Sequence, residues 1–242
     1  MSFLIRKNVV KVISIIVGII FNINFVCAQL VSTTSELTSA LSSAGSGSVI
    51  TLKNGVWNNV TMTISKSGTA TNKLTVKAQT VGGVSFEGNS FINVNGSHIV
   101  VDGITFKNPN SSVAIGDDRI IVKSGTTGNR LTNITFDNYN STGTTASGGS
   151  GIRYIVLSGT YHEVDHCAFL NKKNVGSCVL ANRSSTSDGY FKIHHNVFAY
   201  RRPENGTYDD QNDQDAIRIG NSSTSLSSAY SEVYDNLFYD WI

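Results

Sequence analysis

The chain has 242 residues, of which 40% are hydrophobic, 15% charged and only 2 proline. That apolar content is enough for a continuous core and excludes a disordered polymer. The scarcity of Glu, Lys and Arg is unlike a helical bundle. The formal charge of +2 has no basic stripe with interleaved aromatics, so no nucleic-acid partner is expected.

Residues 1–28 have the layout of a secretory signal. Arg6, Lys7 and Lys11 give a positive start, Val12 to Phe25 is largely apolar, and Val26-Cys27-Ala28 ends on a small residue. Asn22 and Asn24 interrupt the apolar run, which is short for a membrane anchor. Val26 before Cys27 is a poor match to a lipidation site. The mature chain is therefore expected to be 29–242, secreted or periplasmic, with no membrane segment. Losing three positive residues and no acids takes the charge from +2 to −1.

Ser32 to Ala44 predicts a short helix. Leu37 and Leu41 are four apart, and Ser/Thr residues ahead of Glu36 supply caps. Beyond it come only short apolar runs ending at Gly, Asn or Asp: Val49–Leu52, Val60–Ile64, Leu74–Lys77, Val84–Phe86, Phe91–Val94 and Ile99–Val101. Ile120–Val122, Leu131–Phe136, Ile152–Leu157, Val164–Phe169, Cys178–Ala181, Tyr190–Phe198, Ala216–Ile219 and Val233–Phe238 continue the pattern. Residues 140–151 and 204–212 are polar loops.

A phrase recurs within these runs: VDGITF (101–106), LTNITF (131–136), VDHCAF (164–169), IHHNVF (193–198) and VYDNLF (233–238). Its Phe positions lie 30, 33, 29 and 40 residues apart. Tyr161, Tyr190 and Tyr230 each stand three residues ahead of the last three copies. Such a period marks a solenoid. An all-β, single-stranded parallel β-helix follows, with Phe and Ile rungs inside and the short helix capping its open end. Asn108, Asn138 and Asn171, two residues past a Phe, are expected to form an amide ladder with the backbone at a corner. Cys167 takes the slot of Ile104 and Ile134 and is expected to be a buried apolar residue, although in an oxidising compartment it could pair with Cys178.

The richest polar stretch is 195–220, with adjacent Arg201 and Arg202, a loop of acids and amides, and Arg218. Arg218 alternates with Ile217 and Ile219 and should face outward. His194 and His195 are adjacent, one of them a packed or corner residue, and neither is assigned as a base. Lys172 and Lys173 are expected to be turn lysines. Asp209, Asp210, Asp213 and Asp215 are acids of the type a pectinase-like hydrolase needs, yet they cluster in one loop rather than recurring between coils.

The segments NGVW (54–57), SHIVVDGITFKN (97–108) and RRP…NDQDAIRIG (201–220) resemble the chondroitinase-B-like lyases, polysaccharide lyase family six, over most of the mature chain. The resemblance implies a right-handed parallel β-helix that cleaves a uronate polymer, such as alginate or dermatan sulfate, by β-elimination. It implies calcium held partly by Asn212 and Asp215, and Arg201 as a substrate-binding residue; the outward Arg218 is a second substrate-binding candidate as a residue lining the groove, with a solvated surface arginine as its alternative. Hard oxygen donors suit calcium. The family's catalytic Lys, its Arg partner and two further metal ligands would fall after Ile242. The 29–242 β-helix is thus expected to be truncated on its C-terminal side, with no catalytic residue of its own and an uncapped last rung. The rival expectation is a non-catalytic, carbohydrate-binding β-helix surface protein with the same acidic polysaccharide as partner.

Overall fold

The computed structural model describes residues 28–110, 118–140, 152–183, 185–201, 215–220 and 228–241. Its strands form three parallel sheets, and successive strands of one coil belong to different sheets. Sheet A stacks eight strands: Ala28–Val31, Val49–Leu52, Leu74–Ala78, Ile99–Asp102, Arg130–Thr132, Glu163–Asp165, Lys192–His194 and Glu232–Tyr234. Sheet B stacks Gly55–Asn58, Val84–Glu87, Ile104–Phe106, Thr135–Asp137, Ala168–Leu170, Val197–Arg201 and Leu237–Trp241. Sheet C stacks Thr61–Ile64, Phe91–Val94, Ile120–Val122, Ile155–Leu157, Val179–Ala181 and Ile217–Ile219. This is the expected right-handed parallel β-helix.

The recurring phrase is two strands, not one. Its aliphatic residue lies in sheet A, where Val101, Leu131, Val164, Ile193 and Val233 are in register. Its Phe lies in sheet B. Between them a left-handed residue turns the chain. The sheet A–B corner uses Gly103, Asn133, His166, His195 and Asp235 (φ 81, 53, 53, 55 and 51°). The B–C corner uses Asn59, Gly88, Asn108, Asn138, Asn171, Tyr200 and Asp240, and the C–A corner His98, Gly128, Tyr161, Tyr190 and Tyr230, all at positive φ. Asn tolerates this conformation, whereas Tyr adopts it only where the surroundings impose it.

Each corner resets the in–out alternation, so the residue after it points into the coil. After the A–B corner these residues are Ile104, Ile134, Cys167 and Asn196, all at most 1% exposed. Cys167 is buried in its predicted slot, and both described cysteines are free thiols. The amide ladder forms here rather than through Asn108, Asn138 and Asn171. Asn196 accepts from Cys167 N at 2.9 Å and donates to Val164 O at 3.0 Å, and Asn236 donates to Ile193 O at 2.9 Å. Asn108, Asn138 and Asn171 instead supply the left-handed residues of the B–C corner.

The Phe column extends below the predicted five, through Phe86 to Trp57. Phe86 through Phe198 are fully buried, while Phe238 on the last coil is half exposed. Neighbouring rings stack at 4.5 Å (Phe106–Phe136) and 4.7 Å (Phe169–Phe198). Each buried ring contributes about 1.5–3 kcal/mol by leaving water. The helix forms over Thr34–Ser43 and packs on first-coil strands through Leu37, Ala40 and Leu41. Thr33 caps it, accepting from Glu36 N at 3.2 Å, while Glu36 reaches back to Ser32 N at 2.6 Å.

Candidate functional site

Two outer faces differ in charge. On sheet A, Arg130, Glu163, Lys192 and Glu232 stand in one row of alternating sign. They pair within the row, Arg130 Nε to Glu163 at 3.6 Å and Lys192 Nζ to Glu232 at 3.7 Å. A self-neutralised face gives a polyanion little to bind. Beside it Arg130 grips Asp165 through Nε at 2.8 Å, and Thr132 and His166 also reach that carboxylate. Burial works against its charge, but the hydrogen bonds from Arg130 and His166 win and hold its pKa below the ordinary value.

The outer row of sheet C runs Thr63, Asn93, Ile121, Val156, Leu180 and Arg218. Arg218 therefore faces outward, as its alternation with Ile217 and Ile219 predicts. It ends an otherwise neutral row as a partly buried cation. Asp215, exposed just before this strand, accepts through its backbone carbonyl from Cys178 N at 3.2 Å. At the other end of sheet C, a groove of about 440 Å³ beneath the cap helix is lined by Thr38, Leu41, Thr61, Thr63 and Lys66. That groove is distant from Arg218 in the stacking order.

Between the faces, the residue after the B–C corner, three past an aromatic of sheet B, is turned fully inward at Val60, Tyr139, Lys172 and Arg201 and partly so at Asn89, Pro109 and Trp241. Arg201 is in register with Trp241 and lies 6.0 Å over its ring. At 1% exposure, the guanidinium expected to bind substrate lies inside the corner rather than on the outer face. The left-handed Tyr200 immediately before it, at φ 59°, breaks the alternation that would have turned Arg201 outward. Burial lowers its pKa.

Lys172 corrects the expectation of a turn lysine for the same reason, since Asn171 before it sits at φ 57°. The residue is 1% exposed, and its ammonium donates to Ile152 O at 2.8 Å and lies 4.4 Å over the Tyr154 ring. Burial pulls its pKa down to about 8. Cys178 is buried alongside, its thiol pushed up to about 12. The sequence signal for this cluster was the shared spacing from Phe169 and Phe198. Lys173 is exposed, as expected for a turn. His194 is packed and His195 sits exposed at a corner.

Asn212 lies outside the described residues. Among those described, no group of three or more His, Cys, Asp or Glu side chains is arranged to hold a metal ion. Asp215 is the one described member of the expected calcium set, and a single carboxylate is too few for an ion that takes six to eight oxygens.

Fold and faces together define a parallel β-helix with one neutral, arginine-ended flank and one self-paired charged flank. The chain belongs to the chondroitinase B family, whose model matches residues 31–241. Among solved structures it is similar to the family six alginate lyase AlyGC (TM-score 0.77, 25% identity, covering 88% of this chain and 28% of that one). A mannuronic-acid-specific family six lyase from human gut microbiota gives 0.75 at 22% identity, covering 88% and 48%. A family six polysaccharide lyase from Pseudopedobacter saltans gives 0.73 at 22%, covering 87% and 46%. The chain thus spans less than half the length of these structures. No curated protein matches it.

Proposed function

We propose that this chain is part of an exported polysaccharide lyase of the alginate-cleaving kind, and that its own residues bind the uronate polymer. The family match over 31–241 carries this reading. Similar structures include a family six alginate lyase in complex with a trisaccharide and the alginate lyase AlyF-OU02 in complex with G6. Arg218, half-buried beside the covered Val156 and Leu180, is the cation this uncharged row has for a uronate carboxylate, and the buried Arg201 braces the adjoining corner. β-Elimination requires a base at the sugar C5 proton and a positive centre on the carboxylate. Among the described residues the outer row of sheet C offers no base, and the one buried lysine of the B–C corner, Lys172, is turned inside. Calcium, bound through Asn212 and Asp215 with further oxygen ligands, would neutralise the carboxylate when present.

The 242-residue chain is therefore expected to bind alginate oligosaccharides without forming the unsaturated, ultraviolet-absorbing product. Arg218→Ala should weaken binding about tenfold, the scale of a lost charge-assisted hydrogen bond. Calorimetry with alginate and dermatan sulfate fragments, followed by absorbance of the mixtures, tests both statements. Failure to bind any uronate polymer would sink the reading. The second reading is a non-catalytic carbohydrate-binding protein. It gains if no longer form of the protein cleaves. Export is tested by N-terminal sequencing of protein recovered from outside the cytoplasm, with Gln29 expected first.

A further inference from the structure

We propose that the groove beneath the cap helix is a second binding site, which holds a sugar acid at the opposite end of sheet C from Arg218. Its volume of about 440 Å³ falls within the usual range of a small-ligand cleft. One wall is Thr38, Leu41 and Ser42 of the helix. The other is Thr61 and Thr63 of the first sheet C strand, with Ser65 and Lys66 just after it.

The two walls have opposite hydrogen-bonding character. On the helix, Thr38 Oγ1 donates to Thr34 O at 2.9 Å and Ser42 Oγ to Ser39 O at 2.8 Å. Their protons are used, so these hydroxyls offer the groove acceptors. On the strand, Thr63 Oγ1 accepts from Asn93 Nδ2 at 3.4 Å, which leaves its own proton to donate. The hydroxyls of Thr61 and Ser65 and the ammonium of Lys66 make no hydrogen bond or ion pair among the described residues. Leu41 closes the floor at 7% exposure. No carboxylate lines the groove, and the helix's acid, Glu36, is turned to Ser32 N at 2.6 Å.

A sugar acid fits this pattern. Its ring hydroxyls donate to the helix wall, its carboxylate takes the Lys66 ammonium and the strand hydroxyls, and its C–H face lies on Leu41 and the threonine methyls. The groove does not extend the Arg218 row. Five strand steps separate the two, roughly 24 Å at the spacing of paired strands. Val156 and Leu180 between them are covered, at 6% and 5% exposure. Two separate footholds raise the effective concentration of a long chain at each. That the acid belongs to a uronate polymer rests on the function proposed above; the preference for an anionic sugar rests on the groove alone.

The test is titration of the 242-residue chain with an alginate trisaccharide, followed through the methyl signals of Thr38, Leu41, Thr61 and Thr63. These should shift saturably, and should still do so in Arg218→Ala. Lys66→Gln should weaken binding at the groove about tenfold, the scale of a lost charge-assisted hydrogen bond, and Thr61→Val about threefold. Both side chains are exposed and make no internal contact that the fold needs. A neutral cellulose trisaccharide should bind at least about tenfold more weakly. Shifts confined to the Arg218 strand would overturn the groove site and leave the lyase reading standing. Shifts confined to the groove would uphold the site and count against Arg218. Equal affinity for the neutral sugar, or undiminished binding by Lys66→Gln, would overturn the proposal, and no binding of the uronate anywhere would overturn both readings.

Discussion

The Phe column of sheet B and the column three residues further on are built on the same coils and behave differently. The first repeats one chemistry from Phe86 to Phe238. The second changes at each step, from Val60 through the half-buried Asn89 and Pro109 to Tyr139, Lys172, Arg201 and Trp241. Strand interiors allow little variation because rings stack on their neighbours above and below. A corner has more room and backbone carbonyls to satisfy, so it can hold a lysine. The chemical variety of this molecule accordingly gathers at the corners and on outer rows, while the strands keep the coils in register.

The sharpest test of that contrast is Phe136→Ala. Phe136 stacks on Phe106 and, at 4.4 Å, on Tyr154. The variant should lose about 3–5 kcal/mol in urea unfolding, as for other buried aromatics. A cost below about 1 kcal/mol would show that the column is not the main support.

Acid should act at a corner instead. His162, the residue after the C–A corner, is buried, and burial pulls its pKa down to about 4. The folded state therefore resists protonation while the unfolded chain takes up a proton near 6.5. Stability should be full above about pH 6.5 and fall by on the order of 3 kcal/mol on acidification to about pH 4. Thermal melts of wild type and His162→Asn across this window should differ in slope.

Asn196→Ala should cost about 1–3 kcal/mol, because Cys167 N and Val164 O lose their partner. Lys172→Met trades a buried charge for a side chain of similar length and should change stability by about 1 kcal/mol or less at neutral pH. Because the lysine's folded pKa lies below its unfolded one, wild type should gain stability as pH rises from about 8 toward 10.5, and the variant should not. The smallest effect is expected for Tyr190→Gly. Relief of a left-handed Tyr at φ 59° offsets loss of its stacks on Tyr161 and Tyr230, leaving about 1 kcal/mol or less.

Much of the fold was legible because a coil repeats its side chains. The spacing of five Phe residues announced the stack, and Leu37 and Leu41 announced the cap. Trp57 and Phe86 escaped notice because they lack the aliphatic and turn residues of the later copies. Of the site, Arg218 was legible from simple alternation within one strand. Lys172 and Arg201 were not, since nothing in the sequence marks Asn171 and Tyr200 as left-handed, and that conformation is what turns the next residue inward.

Local pattern alone therefore determined the coil, its interior aromatic column and the outward Arg218, because those follow from period-two strands and a repeat of about one coil. Only the tertiary structure decided which way the residues after each corner point. A left-handed residue reverses the chain's facing without leaving a composition signal when it is Tyr or His. The same geometry turned Lys172 and Arg201 inward and set His166 and His195 side by side outside.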